Sequence, residues 1–452
     1  MAFDIRNTGF ELPDGWKLLR LGDIAKINSR TLTKKSNLPE IRYIDISSTS
    51  TGKFEEPTWM KIEDAPSRAK RILADNDIII STVRPNLKQF SFIENASANL
   101  IASTGFCVIS ADNEKLAWYL YALMTSDMFT AHLVAVADGA AYPSFNPIEI
   151  EDAIIALPPE KYLDAIVDIT RAIHKKILLN TQTNQTLEQI AQAIYKSWFV
   201  DYEPTRAKAA VLAAGGNKEE AETAAMTAIS GKTADALAAL KQHDPARYQQ
   251  LADLAAAFPA ALVPTDNFGE IPEGWEIVPF NKVSRCFDNK RIPLSKKQRD
   301  ERKGNIPYYG ATSVIDYVDE PIFNGTYLLI GEDGSVIKDD GTPFAQYIWG
   351  ESWVNNHAHV LQGYNGISTE ELYLFMKQKN ISAYITGAVQ MKLNQNNMNK
   401  ITFTKANNKL HVAFQQYIKP IFETIKIFSE QNKNLTKARD YLLPILLKGK
   451  PL

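Results

Sequence analysis

The chain has 452 residues, 45% of them apolar and 23% charged, which is the composition of an ordinary globular protein of roughly three domains. Its two cysteines, Cys107 and Cys286, exclude a disulfide framework and favour a reducing, cytoplasmic compartment. No apolar run is long enough to span a bilayer. The net charge of −2 does not by itself indicate whether the chain binds nucleic acid, because that depends on how the charge is distributed.

The sequence repeats itself once. The stretch Glu11-Leu-Pro-Asp-Gly-Trp16 returns as Glu270-Ile-Pro-Glu-Gly-Trp275. Such a long period indicates the duplication of a whole unit, and the two copies differ in their middles. The architecture predicted is α+β, with two similar α/β domains related by a pseudo-two-fold duplication. Later echoes keep an offset of 248 residues: Gly139 and Gly387, Asn146 and Asn394, Asn184 and Asn432.

The predicted elements follow the same order in both halves. The first half has strands near 41–46, 77–83 and 105–109 and a helix near 116–129, and the second has strands near 325–331 and 353–361 and a helix near 370–379. Between the halves, an Ala-rich stretch predicts three short helices with breaks at 215–216, 231 and 244–245. The predicted boundaries are 1–155 for the first domain, 156–203 for a long helix, 204–265 for the connector, 266–404 for the second domain and 405–452 for a second long helix.

Each half ends in a heptad pattern. Positions 166 to 198 and 414 to 446 step by four and three in alternation, which is typical of coiled-coil seams, and each seam carries an asparagine that would fix its register. The two helices either pair in antiparallel fashion or pack back on their own domains. A pair extending from 166 to 198 would be about 48 Å long. The seam residues proposed as a spacer are Ile173, Ile177, Asn184, Leu187, Ile194, Ile421, Ile425, Phe428, Asn432, Leu435 and Leu442.

Three possible catalytic signals fail on inspection. Ser230-Gly-Lys-Thr233 lacks the earlier glycine and the leading strand of a phosphate-binding loop. Asp288 with Glu301-Arg-Lys303 only loosely fits a nuclease metal site. His357 and His359 would share one face of a strand, but no third ligand completes a metal site, so structural histidines are favoured. The chain is therefore predicted to carry no active site.

The basic charge is concentrated in one segment. Residues 282–303 contain nine basic residues against three acids, whereas residues 201–274 contain eleven acids against six bases. A chain that is neutral overall can still present a phosphate-binding face when its charge is polarised in this way.

A resemblance to a known family rests on four features of the sequence. They are the paired Pro-acid-Gly-Trp motifs, the strand 77–86, the runs Ile306–Thr312 and Thr386–Asn394, and the two helices with their asparagines. The chain resembles the DNA-specificity subunit of type I restriction–modification systems over its whole length apart from the connector. The resemblance implies two target recognition domains that read two parts of a split DNA site, separated by a long antiparallel two-helix coiled coil. It also implies partners: two modification subunits that use S-adenosylmethionine to methylate DNA, and restriction subunits that use ATP and Mg²⁺, with no cofactor in this chain.

Candidate DNA contacts are polar, basic or aromatic side chains on loops, because Arg pairs with guanine, Asn and Gln with adenine, and Lys mainly with phosphate. Each of them could instead be a surface residue that shapes a turn. The candidate DNA contacts are Arg84, Lys88, Tyr142, Ser144 and Asn146 in the first half, and Lys290, Arg291, Lys296, Lys297, Tyr308, Tyr309, Gln390, Lys392 and Asn394 in the second.

Two other functions of the chain stay open: a stand-alone restriction enzyme, and a coiled-coil protein scaffold.

Overall fold

The chain divides into two compact units in a computed structural model. The first unit combines residues 1–183 with 427–452, and the second comprises residues 184–426. We call residues 2–157 the first domain and residues 262–405 the second domain. The structure describes residues 2–33, 36, 38–139, 142–266, 269–387 and 391–447.

The first domain contains two four-stranded sheets and two two-stranded ones, one of which pairs Thr49–Ser50 with Lys53–Phe54. One sheet has the order β2-β11-β8-β9 and the other β6-β3-β10-β7, in which β3 and β10 are parallel, while β1 pairs with β12. Its strands are β1 Lys17–Arg20, β2 Ala25–Ile27, β3 Glu40–Ile44, β4 Thr49–Ser50, β5 Lys53–Phe54, β6 Thr58–Lys61, β7 Ala69–Ile72, β8 Asp77–Ser81, β9 Phe90–Phe92, β10 Leu100–Ser103, β11 Phe106–Ala111 and β12 Ile154–Leu157.

Three helices accompany these strands: α1 Glu114–Met124, α2 Asp127–Ala135 and α3 Ile148–Glu151. The single helix predicted over 116–129 is therefore wrong, because the first helix ends at Met124 and Ser126 caps the next one by accepting a hydrogen bond from the Phe129 N–H. Helix α1 lies in the core, where Trp118 stacks on Phe92 with ring centroids 3.9 Å apart.

The second domain repeats the two four-stranded sheets and the β1-β12 pair of the first domain. Among the described residues, the β4-β5 pair has no counterpart in it, and it adds a pair of its own, Leu262–Thr265 with Gly269–Pro272. Its sheets have the orders β16-β23-β20-β21 and β18-β17-β22-β19, with β17 and β22 parallel, and β15 pairs with β24. The elements are β13 Leu262–Thr265, β14 Gly269–Pro272, β15 Glu276–Pro279, β16 Ser284–Cys286, α9 Lys296–Asp300, β17 Lys303–Tyr309, β18 Val314–Val318, β19 Phe323–Asn324, β20 Tyr327–Gly331, β21 Ala345–Ile348, β22 Glu351–Val354, β23 Ala358–Gly363, α10 Thr369–Met376, α11 Gln395–Asn399 and β24 Thr402–Lys405.

The duplicated Pro-acid-Gly-Trp motif is a tight turn before β1 in the first domain and before β15 in the second. Gly15 and Gly274 have φ of 82° and 77°, and the following Trp N–H donates to the Pro carbonyl at 3.1 Å in both copies. A positive φ at the third turn position favours glycine. Trp16 and Trp275 are buried, so the motif anchors the start of each domain. The internal duplication predicted from the sequence is thus present in the fold.

The long helices are α4 Glu160–Phe199 and α12 Asn408–Leu447, and each contributes residues to both units. In the first unit, Leu446 lies in one apolar cluster with Leu163 and Ile166, whereas Asn180 hydrogen-bonds Asn432 at 2.9 Å. Residue numbers rise along one helix as they fall along the other, so the pair is antiparallel.

The same direction holds in the second unit. Trp198 contacts Phe414 with ring centroids 5.5 Å apart, and the Asn184 amide donates to the Ile425 carbonyl at 3.2 Å. Every predicted seam position is buried or half-buried. Both arrangements considered from the sequence occur together, because the helices pair and their ends also pack into the sheet domains.

The connector forms four helices where three were predicted. The three expected breaks are present, but a fourth helix precedes them, beginning at Glu203 with Pro204 in its first turn, where a missing N–H costs nothing. The strand predicted over 353–361 is also two strands, because residues 355–357 turn between β22 and β23. The connector helices are α5 Glu203–Ala213, α6 Lys218–Ser230, α7 Ala234–His243 and α8 Pro245–Ala256.

Candidate nucleic-acid interface

The Arg84–Lys88 turn is the clearest candidate contact in the first domain. It follows β8 and contains one turn of 3₁₀ helix, Pro85–Leu87. Arg84 and Lys88 flank that turn, each with φ of 50°. The Arg84 guanidinium lies over the exposed ring of Tyr142, 4.4 Å from its centroid, and the Arg84 N–H donates to the Pro143 carbonyl at 2.7 Å.

The left-handed backbone at these two residues is unusual. Apart from four asparagines, only Arg84, Lys88 and Tyr202 have a positive φ among the non-glycine residues that the structure describes. Each such residue costs on the order of 1 kcal/mol or more and persists only where its surroundings hold it. Two of the three lie in one five-residue turn, so this turn is held in a fixed shape with its arginine exposed.

The other first-domain candidates lie beside this turn or on the strand-like segment that supports it. Ser144 is exposed and bridges Val83, which places its segment next to Arg84. Lys88 is half-buried and pairs with Asp127 of α2. Asn146 is exposed, and its side-chain oxygen accepts a hydrogen bond from the N–H of Ile148, the first residue of α3, at 3.1 Å.

The basic segment of the second domain presents lysines on a short helix. Ser295 caps α9, and Lys296 and Lys297 in its first turn are exposed and form no ion pair with any described residue. Lys290 is exposed as well, with its ammonium 5.3 Å from the centroid of the Phe287 ring. These three lysines are exposed, as a phosphate contact requires, and their role as phosphate contacts stays a prediction.

Arg291 has a different role from the one predicted. Its side chain is only 12% exposed, and its guanidinium donates to Glu332 and to the Ala358 carbonyl, both at 2.7 Å. It also lies 3.4 Å from Asp288. These contacts fasten the basic segment to β23, so the guanidinium is engaged inside the domain and is not displayed for a base.

The two tyrosines of β17 are also not exposed contacts. Tyr308 is 1% exposed, lies against Trp353, and its hydroxyl accepts a hydrogen bond from the Leu294 N–H at 2.9 Å. Tyr309 is half-buried against the apolar cluster of β20 and β23. They pack inward because β17 is an inner strand of its sheet, covered on the Tyr308 side by α9 and its flanking loop.

The matching loops before α3 and α11 explain the glycine and asparagine echoes. Gly139 and Gly387 both have a positive φ, and Asn394, like Asn146, accepts a hydrogen bond at the start of a short helix, here from the Asn397 N–H at 2.9 Å. Lys392 is exposed, 3.7 Å from Glu332. The echoes therefore have structural roles. Gln390 lies outside the described residues.

The sequence did not indicate an exposed aromatic side chain on the edge strand of each domain. Trp59 of β6 is 59% exposed and Tyr317 of β18 is 52% exposed, and these strands occupy the same edge position in the two domains. Arg42 lies over Trp59, with 5.6 Å to the ring centroid. The available signal was an aromatic residue directly after a polar one in a short strand, Trp59 after Thr58 and Tyr317 after Asp316.

Among the described residues, one cluster could offer three ligands to a metal ion: Cys286, Asp288 and His359. His359 is buried, with its Nδ1 2.6 Å from Asp288 and its Nε2 2.7 Å from the Leu393 carbonyl. Burial raises the pKa of the Cys286 thiol to about 12. Burial would also raise the pKa of Asp288, but hydrogen bonds from His359 and Val360 and the charge of Arg291 hold it below its usual value.

A protonated thiol is a poor metal ligand, and Arg291 already supplies a cation to Asp288. Hydrogen bonds between these residues therefore explain why the Cys286–Asp288–His359 cluster forms. His357 does not share the strand face with His359, since it lies in the turn before β23 and contacts Asp333 at 2.5 Å. The Ser230–Thr233 stretch ends α6 and caps α7, which explains its residue types.

No described helix is both long and apolar enough to cross a membrane. Two sheet domains of one topology, each with its own exposed polar turn and joined in sequence to antiparallel heptad helices, define a duplicated recognition protein. The family model described as the type I restriction modification DNA specificity domain matches residues 13–189 and 272–437. The chain belongs to this family and carries two copies of its domain.

Known relatives agree with this assignment. The chain is 32% identical over 466 residues to the type I restriction enzyme HindI specificity subunit of Haemophilus influenzae, covering 96% of this chain and 99% of that protein. A putative specificity subunit from the same organism, S.HindORF215P, is 33% identical over 131 residues, covering 28% of this chain and 33% of its own.

Solved structures of two specificity subunits are also similar to this chain. The HsdS subunit of Thermoanaerobacter tengcongensis is 16% identical, with 98% of this chain and 99% of that chain covered and a TM-score of 0.36. The S subunit from M. genitalium is 13% identical, with 96% and 97% covered and a TM-score of 0.41.

Proposed function

We propose that this chain is the non-catalytic DNA-specificity subunit of a type I restriction–modification complex, in which each sheet domain reads one part of an asymmetric split site. The observation that carries the proposal is the pair of domains with one strand order and different exposed side chains. Two domains with the same strand order but different exposed side chains fit a DNA site whose two parts differ in sequence. A symmetric dimer would instead need a palindromic site.

The first domain would read bases mainly through Arg84. A guanidinium can pair with both acceptors of a guanine in the major groove, which discriminates against other bases by roughly 1–3 kcal/mol. Tyr142 and the left-handed turn hold this group in place before DNA arrives. A group fixed in advance loses little conformational freedom on binding.

The second domain would approach the backbone through its lysines. Lys290, Lys296 and Lys297 are exposed ammonium groups that can neutralise phosphates, and such contacts set the position of a protein on the duplex but carry little sequence information. The base-reading side chains of this domain would come from the neighbouring loops, which include Lys392 and Asn394.

The paired helices would act as the spacer. A span of about 48 Å corresponds to roughly 14 base pairs at 3.4 Å each, or fewer if the domains lean inward. The unread gap would thus be one turn of DNA or a little more, and the closer it is to one turn, with the domains leaning inward, the better both domains could approach the same side of the duplex.

The reactions would belong to partner subunits. Two modification subunits would dock on the helices and bring S-adenosylmethionine, and restriction subunits would supply ATP- and Mg²⁺-dependent cleavage, all in the cytoplasm. In this chain, the P-loop-like stretch caps helices and the Cys286–Asp288–His359 cluster is closed by hydrogen bonds, which supports a role in recognition alone.

Lengthening the spacer tests this division of labour. One heptad inserted after Asn180 in α4 and one after Gln431 in α12 preserve the seam and add about 10.5 Å, or about three base pairs. Sequencing of methylated DNA from cells with the complete complex should show both half-sites unchanged and the gap longer by about three. Affinity should fall, because three base pairs also turn the duplex by roughly a third of a turn.

Seven residues inserted between Gly215 and Gly216 of the connector provide the control, and they should leave the gap unchanged. Altered half-sites in the lengthened protein would overturn the proposal. The stand-alone enzyme is tested separately by incubating the pure chain with DNA, Mg²⁺, ATP and S-adenosylmethionine. Methylation or cleavage by this chain alone would favour that alternative.

A further inference from the structure

A groove of about 810 Å³ lies in the second unit between the connector and the start of α12. Leu240, Leu251 and Leu254 contribute apolar surface from α7 and α8, and Tyr417 contributes the exposed edge of its ring from α12. The volume lies in the range of sites that bind a ligand or a few side chains of a partner.

The rim of the groove is basic. Lys232, Arg247 and Lys409 line it, all three are exposed, and none forms an ion pair with another described residue. The acid that lines the groove, Asp253, already accepts a hydrogen bond from Gln249 at 2.8 Å. This local excess of positive charge contrasts with the connector region as a whole, where eleven acids outnumber six bases between residues 201 and 274.

The groove is preformed. The Asn407 side chain at the start of α12 donates to the Ala257 carbonyl at 3.1 Å, which ties the end of α8 to the long helix. The buried ammonium of Lys208 donates to Glu222 and to the Phe258 carbonyl, both at 2.9 Å, and so fixes α5 against α6 and the segment after α8. Both walls are therefore held in place without an occupant.

We propose that this groove binds an acidic amphipathic helix of a partner protein, which under the proposed function, on which this inference rests, is a modification subunit. Apolar side chains of that helix would fill the space between the leucines and Tyr417, and its carboxylates would pair with the three cations at the rim. A protein fits better than DNA, because the walls are apolar, the cations are few, and the surrounding surface carries more acids than bases.

Charge reversal in the full chain tests the groove. The variant Lys232→Glu/Arg247→Glu/Lys409→Glu should bind the purified modification subunit at least tenfold more weakly at about 0.1 M salt, measured by isothermal titration calorimetry. The matched control Lys17→Glu/Lys218→Glu/Lys241→Glu changes the net charge equally, with two sites in the connector and one on β1, all three outside the groove lining and off the paired helices, and should bind within twofold of the unmodified chain.

A second variant, Tyr417→Ser, removes apolar wall without changing charge and should weaken the same binding about threefold or more, while thermal unfolding reports whether either variant folds. Equal affinities for the groove and control triple variants would overturn the proposal. A band shift of each chain alone on cognate DNA gives the independent measurement. Selective loss of DNA affinity in the groove variant would assign the groove to DNA and overturn the proposal, whereas failure of the unmodified chain to bind DNA would contradict only the proposed function.

Discussion

At the residue scale, the main functional candidate is an arginine whose position is fixed by its neighbours. Arg84 combines exposure, a left-handed backbone and an aromatic ring beneath its guanidinium. The planar fork of arginine is what distinguishes a base contact from a simple charge contact. The choice between these two roles can be measured by replacing Arg84 with lysine.

We expect Arg84→Lys to weaken binding to the cognate site by about tenfold or more, because the charge stays and the bidentate geometry is lost. Binding to unrelated DNA should change little. Competition band shifts with cognate and scrambled duplexes give both affinities, and Lys17→Ala, an exposed site on β1, provides the control. An equal loss on both duplexes would show that Arg84 contacts phosphate.

A buried histidine gives the first unit a pH dependence. Burial, with added repulsion from Arg439 and Lys175, lowers the pKa of His174 from 6.5 to about 4, and its Nδ1 lies 3.2 Å from the Tyr121 hydroxyl. Between about pH 6.5 and 4, the His174 side chain binds a proton in the unfolded chain but not in the folded chain. The free energy of unfolding therefore decreases as the pH falls through this range.

His174 should therefore cost about 2 kcal/mol of unfolding free energy between pH 7.5 and pH 5. Urea unfolding of the protein and of His174→Gln at both pH values checks this, and the variant should lose less stability on acidification. His243→Gln, at an exposed position, serves as the control and should retain the full pH effect. Equal pH dependence in all three proteins would rule out His174 as the cause.

At the element scale, the asparagines in the seam between α4 and α12 are polar groups that specify how the two helices align. The Asn180 amide donates to Asn432 at 2.9 Å and to Gln431 at 2.8 Å, and Asn432 donates to Thr181 at 3.2 Å. A polar seam position lowers packing energy and fixes the register of the pair. Such a network is expected to respond differently to removal of one partner and of both.

Asn432→Leu alone should destabilise the first unit by about 1–3 kcal/mol, because Asn180 keeps a buried amide with one partner fewer. The double variant Asn180→Leu/Asn432→Leu should regain much of that loss. A double-mutant cycle by urea unfolding measures the coupling energy. Additive effects of the two substitutions would mean that the asparagines do not act as a pair.

Elements with a strong period were predictable, and individual contacts were not. The heptads predicted both long helices, and the repeated motif predicted the duplicated sheet domains, because periodicity and repetition depend on sequence alone. The break at Ser126 was missed because a capping hydroxyl overrode a continuous apolar pattern. Arg291 and Tyr308 were misjudged because their partners, Glu332 and Trp353, are distant in sequence.

At the scale of the whole molecule, the order of the chain does not follow the order of the units. Residues 427–447 belong with the N-terminal domain, where Leu442 and Leu446 pack against the cluster that contains Trp118 and Leu163. The second domain instead takes its helical support from residues 408–426.

Truncation after Asp440 should therefore destabilise the first unit and spare the second. Burial of Leu446 and partial burial of Leu442 contribute about 2–4 kcal/mol, so limited proteolysis should cut between residues 2 and 157 much faster in the truncated protein. The double variant Leu442→Met/Leu446→Met is the control and should resist like the parent chain. Faster cleavage within residues 262–405 would contradict this expectation.

A premature stop codon just before the codon of Leu442 would thus damage a domain that the ribosome makes much earlier, residues 2–157. Residues 2–157 leave the ribosome long before Leu442 and Leu446 are synthesised, so during translation this nascent domain lacks part of its core. Most of that core comes from residues 3–167, but its final consolidation has to wait for Leu442 and Leu446 of α12.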